Sequence, residues 1–282
     1  MSANSCAICD SKNLKLIVNL TWPLFKCQNC GLIQVHPLPS RSEVNKLYQG
    51  DYWKNYGPYG SQEPAHRRYF EKKIAEIKQY RRKGRMLDIG CALGTFMIEA
   101  KKQGFAVEGI DISDYAVSQC RRRGLKANQA VATDLKKTNY YDIITAFETV
   151  EHEYDAVKTV KTIYSLLRPG GLFVATVPNT DTFTNKIMGR FWFGYRNQEH
   201  LYHFNKKSLY LLLKQAGFQR IEVRKDSPRP YLATYYLERI NYYLFRCRFF
   251  AKIISKLKKI PLVANFEINW NPWGNLIAFG EK

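Results

Sequence analysis

Across residues 64–226, short apolar runs alternate with stretches in which apolar positions recur every three or four residues, and turn residues separate the two patterns. The stretch EPAHRRYFEKKIAEIKQYRRKG places Phe70, Ile74 and Ile77 on one helical face and stops at Gly84. A strand then runs from Arg85 to Asp88. Helices are expected over 95–102, ended by Gly104, and over 114–123, capped by Ser113 and ended by Gly124. Strands over 106–112, 127–132 and 141–147 lead to a helix at 155–167, whose Val157, Val160, Tyr164 and Leu167 share a stripe. Arg168-Pro169-Gly170-Gly171 breaks that helix before the strand LFVATVP. Asn205 caps KKSLYLLLKQA, whose Leu209, Leu212, Leu213 and Ala216 form an inner face, with Gly217 as its stop. Strands at 219–226 and 275–282 complete the series. Strand and helix in alternation predict an α/β, doubly wound, mostly parallel sheet.

Two insertions interrupt the pattern, at 179–204 and 227–274. The first follows the fifth strand, at the edge of the sheet where ligands bind. Within the second, residues 231–259 read as one helix, with Leu232, Tyr236, Ile240, Tyr243, Cys247, Phe250, Ile254 and Leu257 on a stripe. Arg248, Lys252, Lys256 and Lys259 lie off it, and Arg239 and Arg246 edge it. The segment is too charged to span a bilayer; the two expectations are a helix pair packed on the core with a solvated basic face, and peripheral contact with an anionic membrane.

The N-terminal region has different chemistry. Cys6-Ala7-Ile8-Cys9 and Cys27-Gln28-Asn29-Cys30 are two C-x-x-C pairs separated by 17 residues. Four thiolates at this spacing suit a tetrahedral zinc ion and leave it no open position, so the site is expected to be structural; iron is the alternative in the same cage. A zinc ribbon over 1–34 is therefore followed by a Pro-, Gly- and aromatic-rich linker or lid over 35–63, and the larger domain occupies 64–282. Cys91, Cys120 and Cys247 stand alone and read as packing residues.

The loop in RMLDIGCALGTF narrows the ligand of that domain. Gly90, Ala92 and Gly94 give G-x-A-x-G, which matches neither the dinucleotide fingerprint nor a P-loop. Asp88, just before the loop, would oppose a phosphate but suits an ammonium group. Asp111 ends the next strand, 21 residues beyond Gly90, where an acid reaches ribose hydroxyls. An amino-acid end and a ribose end together indicate S-adenosylmethionine.

Through LDIGCALG, EGIDIS, YDIITAFETVEH and LLRPGGLFVATVPN the chain resembles the class I S-adenosylmethionine-dependent methyltransferases. The resemblance implies a Rossmann-like seven-stranded sheet. It also implies that Asp88, Gly90, Cys91 and Gly94 line the methionine and ribose, that Asp111 and Ile112 hold ribose and adenine, that Asp134 and Leu135 face the adenine edge, and that Glu148 closes the end of the fourth strand. Ala92 replaces the family's usual Gly and is tolerable at negative φ.

Methyl transfer needs alignment and, for a hydroxyl or acidic carbon, a base. Of five histidines, His152 follows the fourth strand, where a tether through a ring N–H is the bland expectation, and His200 and His203 lie in NQEHLYHFNKKSL. That segment is similar to one in zinc-ribbon nucleotide-sugar C-methyltransferases, with His200 matching the base. Those enzymes place a tyrosine where this chain has Asn197; Tyr195 lies two residues further back and is a candidate for orienting the acceptor.

The charge, 44 Lys plus Arg against 24 Asp plus Glu for a net +20, predicts an anionic partner without choosing it. The N-terminus lacks a signal-peptide pattern and no 18-residue apolar run occurs, which places the chain in the cytoplasm, with the inner membrane face as a further possibility. A sugar, glycan or lipid-linked small-molecule acceptor is the favoured expectation. RNA is the alternative, weakened because the ribbon carries only Lys12, Lys15 and Lys26 and because FETVEHEYD is unlike the Asn- or Asp-Pro-Pro-aromatic sequence of many base N-methyltransferases. A non-enzymatic binding module is the third. Sequence sets no expectation for oligomeric state.

Overall fold

A computed structural model describes residues 5–47, 63–196, 199–241, 247–264, 266–268 and 274–282. Its main sheet is built from β4 (Arg85–Ile89), β5 (Ala106–Asp111), β6 (Ala127–Gln129), β7 (Tyr141–Phe147), β8 (Leu167–Pro178), β10 (Gln219–Lys225) and β13 (Asn275–Glu281), in the order β10-β13-β8-β7-β4-β5-β6. Only β13 runs against its neighbours. β7 is buried along nearly its whole length, as a strand covered on both faces must be.

The covering helices start and stop where their caps dictate. α2 (Glu63–Tyr80) buries Phe70, Ile74 and Ile77. α3 (Thr95–Lys102) follows the glycine loop, and α4 (Asp114–Arg122) begins where the Ser113 side chain accepts from Ala116 N–H at 3.3 Å. α5 (Ala156–Leu166) starts at Asp155, which accepts from Lys158 N–H at 2.9 Å. α7 (Lys206–Ala216) has a full capping box between Asn205 and Ser208 and ends at Gly217, φ 105°.

Two boundaries differ from the sequence reading. β6 ends at Gln129, because the chain turns into a 3₁₀ turn at Ala132–Asp134. The Arg-Pro-Gly-Gly segment does not precede β8 but lies within it. Tyr141 pairs with Leu167 while Ile143 pairs with Leu172, so the extra residues bulge out of the ladder, with Gly170 at φ 73°.

The ribbon comprises β1 (Leu14–Val18), β2 (Leu24–Cys27) and β3 (Ile33–Val35), and it is followed by α1 (Arg41–Leu47). The ribbon is knitted to the core. Its sheet gains a fourth strand, β9 (Tyr202–His203), from the first insertion, with Ile33 opposite His203 and Gln34 opposite Tyr202. Val35 N–H donates to Leu201 O at 2.9 Å, and Asn205 Nδ2 and Lys207 Nζ donate to Cys30 O and Asn29 O at 3.2 and 2.7 Å. Cys6, Ile8 and Leu32 share one apolar cluster with Leu201, Tyr202 and Phe204. Of the expected 35–63 linker, residues 48–62 lie outside the described residues.

Of the two expected forms of the second insertion, the helix pair is the one observed, not a single helix. β11 (Tyr231–Leu232) opens it, then α8 (Ala233–Ile240), α9 (Arg248–Leu257) and α10 (Pro261–Ala264), and β12 (Glu267–Ile268) pairs back on β11. Cys247, extended at φ −101° and ψ 123°, precedes α9, and its N–H donates to Asn241 Oδ1 at 3.2 Å; residues 242–246 lie outside the described residues. Of the expected stripe, Leu232 and Ile254 are buried and Phe250 is 40% exposed, while Tyr243, and Arg246 at its edge, lie outside the described residues. Among the described residues no helix is long and apolar enough to cross a membrane.

Candidate active site

The strand order turns back between β4 and β7, and the crevice at their carboxyl ends is where an α/β sheet binds ligands. A cleft opens there, walled by Asp88, the 90–93 loop, Phe96, Phe147, Glu148, Thr176, Tyr69, Phe70 and Arg229. Asp88 is buried at the end of β4 and accepts from Thr145 Oγ1 at 2.7 Å; burial pushes its carboxyl up to about 7. Gly90 has φ 71°, and a Cβ there would come within 2.4 Å of Thr149 Oγ1, so the turn needs glycine both for its dihedral and for the close approach. Its N–H and that of Cys91 donate to Ile110 O at 2.8 and 3.0 Å, which pins the loop over β5.

Ala92 has φ 46°, not the negative φ expected. Its N–H donates to Asp111 Oδ2 at 2.9 Å, and this bond holds an L-residue in the left-handed region at a cost of about 1–2 kcal/mol. Asp111 Oδ1 accepts from Ser113 N–H at 2.8 Å; burial raises its pKa despite both backbone bonds. Each carboxylate oxygen keeps a further lone pair for a ribose hydroxyl. Ile112, 41% exposed beside it, offers a flat apolar surface. Asp134 is exposed and Leu135 half-buried after the turn that follows β6. Gly94 does not line the cleft: it caps α3 and faces Leu125 and Cys120. Carboxylates at both ends, with the tight 90–93 turn between them, fit S-adenosylmethionine.

Glu148 also has a left-handed backbone, φ 52°. Its carboxylate accepts from Asn275 Nδ2 at 2.8 Å and is paired with Arg229, which holds its pKa down against burial. Sequence reasoning missed Arg229. The available signal was an arginine fixed between Pro228 and Pro230 where β10 ends.

The turn at Val150–His152, just after Glu148, carries a second group of residues. His152 Nδ1 donates to Glu199 O at 3.0 Å, so its Nε2 is left as the acceptor, and the ring is the tether expected. The His200 ring centroid is 4.7 Å from that of His152, His203 is 5.7 Å from His200, and Tyr195 is 5.4 Å from His203. The structure thus brings all the predicted catalytic candidates into one chain of rings. They are not equally accessible: His200 is half-buried, whereas His203 and Tyr195 are buried, the former inside the ribbon sheet. Glu151 is fully buried, and neither carboxylate oxygen has a hydrogen-bond partner among the described residues. Burial lifts its pKa well above the carboxylate range and pushes His152 and His203 down to about 4 and about 3, with His200 also well below 6.5. Burial thus disfavours the charged form of every group in the cluster. Glu151, His152 and His200 each bring a ligand atom within 4.8 Å of the others, a spacing that a divalent cation also fits.

The four ribbon cysteines converge similarly. Cys6 Sγ lies 3.5 Å from Cys30 Sγ and Cys9 Sγ 3.5 Å from Cys27 Sγ, with all four within 4.8 Å of one another. Zn–S bonds of about 2.3 Å put tetrahedral sulfurs about 3.8 Å apart, so the set fits zinc with little movement.

The family described as a methyltransferase domain matches residues 62–223, more than half of the chain. A ubiquinone biosynthesis O-methyltransferase of Marinobacter nauticus is 30% identical over 117 residues, 37% of this chain and 49% of that protein. One from Coxiella burnetii is 31% identical over 141 residues, 45% and 57% of the two chains. The chain thus spans about half the length of the curated relatives it matches. A SAM-dependent methyltransferase from Archaeoglobus fulgidus superposes with a TM-score of 0.54 at 19% identity, over 77% of this chain and 94% of that one. The Haemonchus contortus phosphoethanolamine N-methyltransferase 2, solved with S-adenosyl-L-methionine, gives 0.56 at 20% identity, over 88% and 62%. These two show the fold. By its family match, together with the cofactor loop and sheet order, the chain belongs to the class I S-adenosylmethionine-dependent methyltransferases.

Proposed function

We propose that this methyltransferase acts on a small polar acceptor of glycan type, free, nucleotide-linked or lipid-linked, with His200 as the general base. S-adenosylmethionine, held by Asp88, the 90–93 loop, Asp111 and Glu148, supplies an already activated methyl group. The chain's own task is to align the acceptor and take its proton. The observation that carries the reading is the half-buried, neutral His200 ring against His152, immediately beyond the Glu148 wall of the cleft. A neutral imidazole accepts a proton from a hydroxyl or acidic carbon, and His152, fixed by Glu199 O, orients it. His203 and Tyr195 pack behind it and position the segment. The O-methyltransferase relatives support a small acceptor, and the segment around His200 resembles the sugar C-methyltransferases. Zinc in the four-cysteine site holds the ribbon.

A lipid-linked acceptor also suits the outward face of α9, where Phe249, 69% exposed, and Ile253, 37% exposed, stand beside exposed Lys252 and Lys256. An apolar strip edged by lysines matches an anionic membrane surface.

The test is complementation. In cells lacking the gene, the wild-type chain restores the methylated product and His200→Ala does not, while purified His200→Ala binds S-adenosylhomocysteine with wild-type affinity. Restoration by His200→Ala would return His200 to a tether of the loop.

A further inference from the structure

Arg229 stands in Ser227-Pro228-Arg229-Pro230, beyond the residues matched by the family and just past the end of β10. Its side chain is nonetheless only 7% exposed and forms part of the cleft wall with Asp88, Gly90 and Glu148. Two sets of contacts fix it. The buried Asp226 carboxylate accepts from Tyr69 Oη and Lys73 Nζ, which ties the loop to α2. The guanidinium itself lies 5.4 Å from the ring centre of Tyr69 and 5.9 Å from those of Phe70 and Tyr231. A guanidinium held among three rings is preorganised to present its paired N–H donors in one direction.

Among the described residues lining the cleft, Arg229 is the only cation, and Asp88 and Glu148 are the acids. Arg229 and Glu148 are paired with each other. This pattern selects the ligand's charge. A simple anion such as phosphate would gain Arg229 but meet both carboxylates; a simple cation would gain the carboxylates but meet Arg229. A zwitterion satisfies both, with its ammonium toward Asp88 and Glu148 and its carboxylate on the guanidinium, where two parallel charge-assisted hydrogen bonds form. The ion pair between Arg229 and Glu148 is the electrostatic complement of an α-amino acid.

We propose that Arg229 receives the α-carboxylate of the cofactor's amino-acid end, exchanging its bond to Glu148 for one to the ligand while Glu148 turns to the α-ammonium. The assignment rests on the S-adenosylmethionine reading of the cleft. It gives the second insertion a role in cofactor binding, since the loop that carries Arg229 opens that insertion.

Calorimetric titration of the full chain with S-adenosylhomocysteine and with its decarboxy analogue tests it. The wild-type protein is expected to bind the decarboxy analogue about 30- to 100-fold more weakly, the worth of a charged hydrogen-bonded pair. Arg229→Gln is expected to lose a similar factor for S-adenosylhomocysteine and almost nothing for the analogue. Equal wild-type affinity for the two ligands would overturn the assignment, and this comparison stands even if the variant fails to fold. So would wild-type affinity of Arg229→Gln for S-adenosylhomocysteine, which would move Arg229 to the acceptor, or an equal loss for both ligands. Failure of the wild-type protein to bind either ligand would instead remove the cofactor reading beneath it.

Discussion

Asp88 carries the ligand-free protein's most testable titration. Burial lifts its carboxyl to about 7, from an unfolded value near 3.8. A cationic ligand end needs the ionised form, so binding releases a proton below that pH. S-adenosylhomocysteine affinity is therefore expected to rise by up to about tenfold per unit from pH 5.5 to 7 and then to level off. Asp88→Asn should flatten the profile; a wild-type affinity independent of pH over this range would separate Asp88 from the ligand. For the empty fold the signs are opposed. The stability associated with Asp88 is full below pH 4 and is lost as pH rises through 7, whereas His152 and His203, pushed down to about 4 and about 3, withdraw theirs as pH falls below 6.5. At this scale the sequence was readable where one residue type has one use. Asp88, Gly90 and Asp111 stand where the loop pattern put them. Ala92 and Glu148 did not announce their left-handed backbones, because only the surrounding hydrogen bonds hold them there. Arg229 could not be ranked among so many basic residues until its burial was known.

The elements explain how a four-cysteine cluster distant in sequence bears on the candidate base. β9 carries His203 and is hydrogen-bonded to β3 of the ribbon, and Leu201 O accepts from Val35 N–H. The segment bearing His200 is thus held by the ribbon, which is too small to hold itself together without metal. Cys27→Ser is expected to release the one bound zinc per chain and to reduce turnover at least tenfold, with S-adenosylhomocysteine affinity within about threefold of wild type. Metal analysis, calorimetry and complementation on one preparation check it. Full turnover in a metal-free variant would show that the ribbon does not position His200. The helices and central strands were legible because caps and stops at Ser113, Asp155, Asn205 and Gly217 are local signals. The β3–β9 pairing was not, since a two-residue strand has no periodicity of its own and its partner lies far back in the chain. The same limit hid the break before α9: the apolar spacing continues across it, and only the extended backbone of Cys247 shows it.

For the molecule as a whole, the net charge of +20 finds one outlet in α9, where exposed Lys252 and Lys256 flank the outward Phe249 and Ile253. If that face rests on anionic lipid, the chain should float with liposomes containing phosphatidylglycerol, less so in high salt, and not when Phe249 and Phe250 are both changed to Ser. Binding to RNA without binding to such liposomes would favour the nucleic-acid alternative. The fold and the cofactor end of the site follow from short, ordered motifs; the histidine cluster is assembled from the turn after β7, the first insertion and a ribbon strand, whose meeting no single stretch of sequence encodes.

The central claim concerns what receives the methyl group. Untargeted mass spectrometry of small molecules, lipid-linked glycans and digested RNA from a deletion strain and its complemented counterpart tests it most directly. The account predicts that one small or lipid-linked species loses a methyl group in the deletion and regains it with the wild-type gene, while the RNA nucleosides stay unchanged. Loss of a methylated nucleoside, with every small-molecule and lipid-linked species intact, would contradict it.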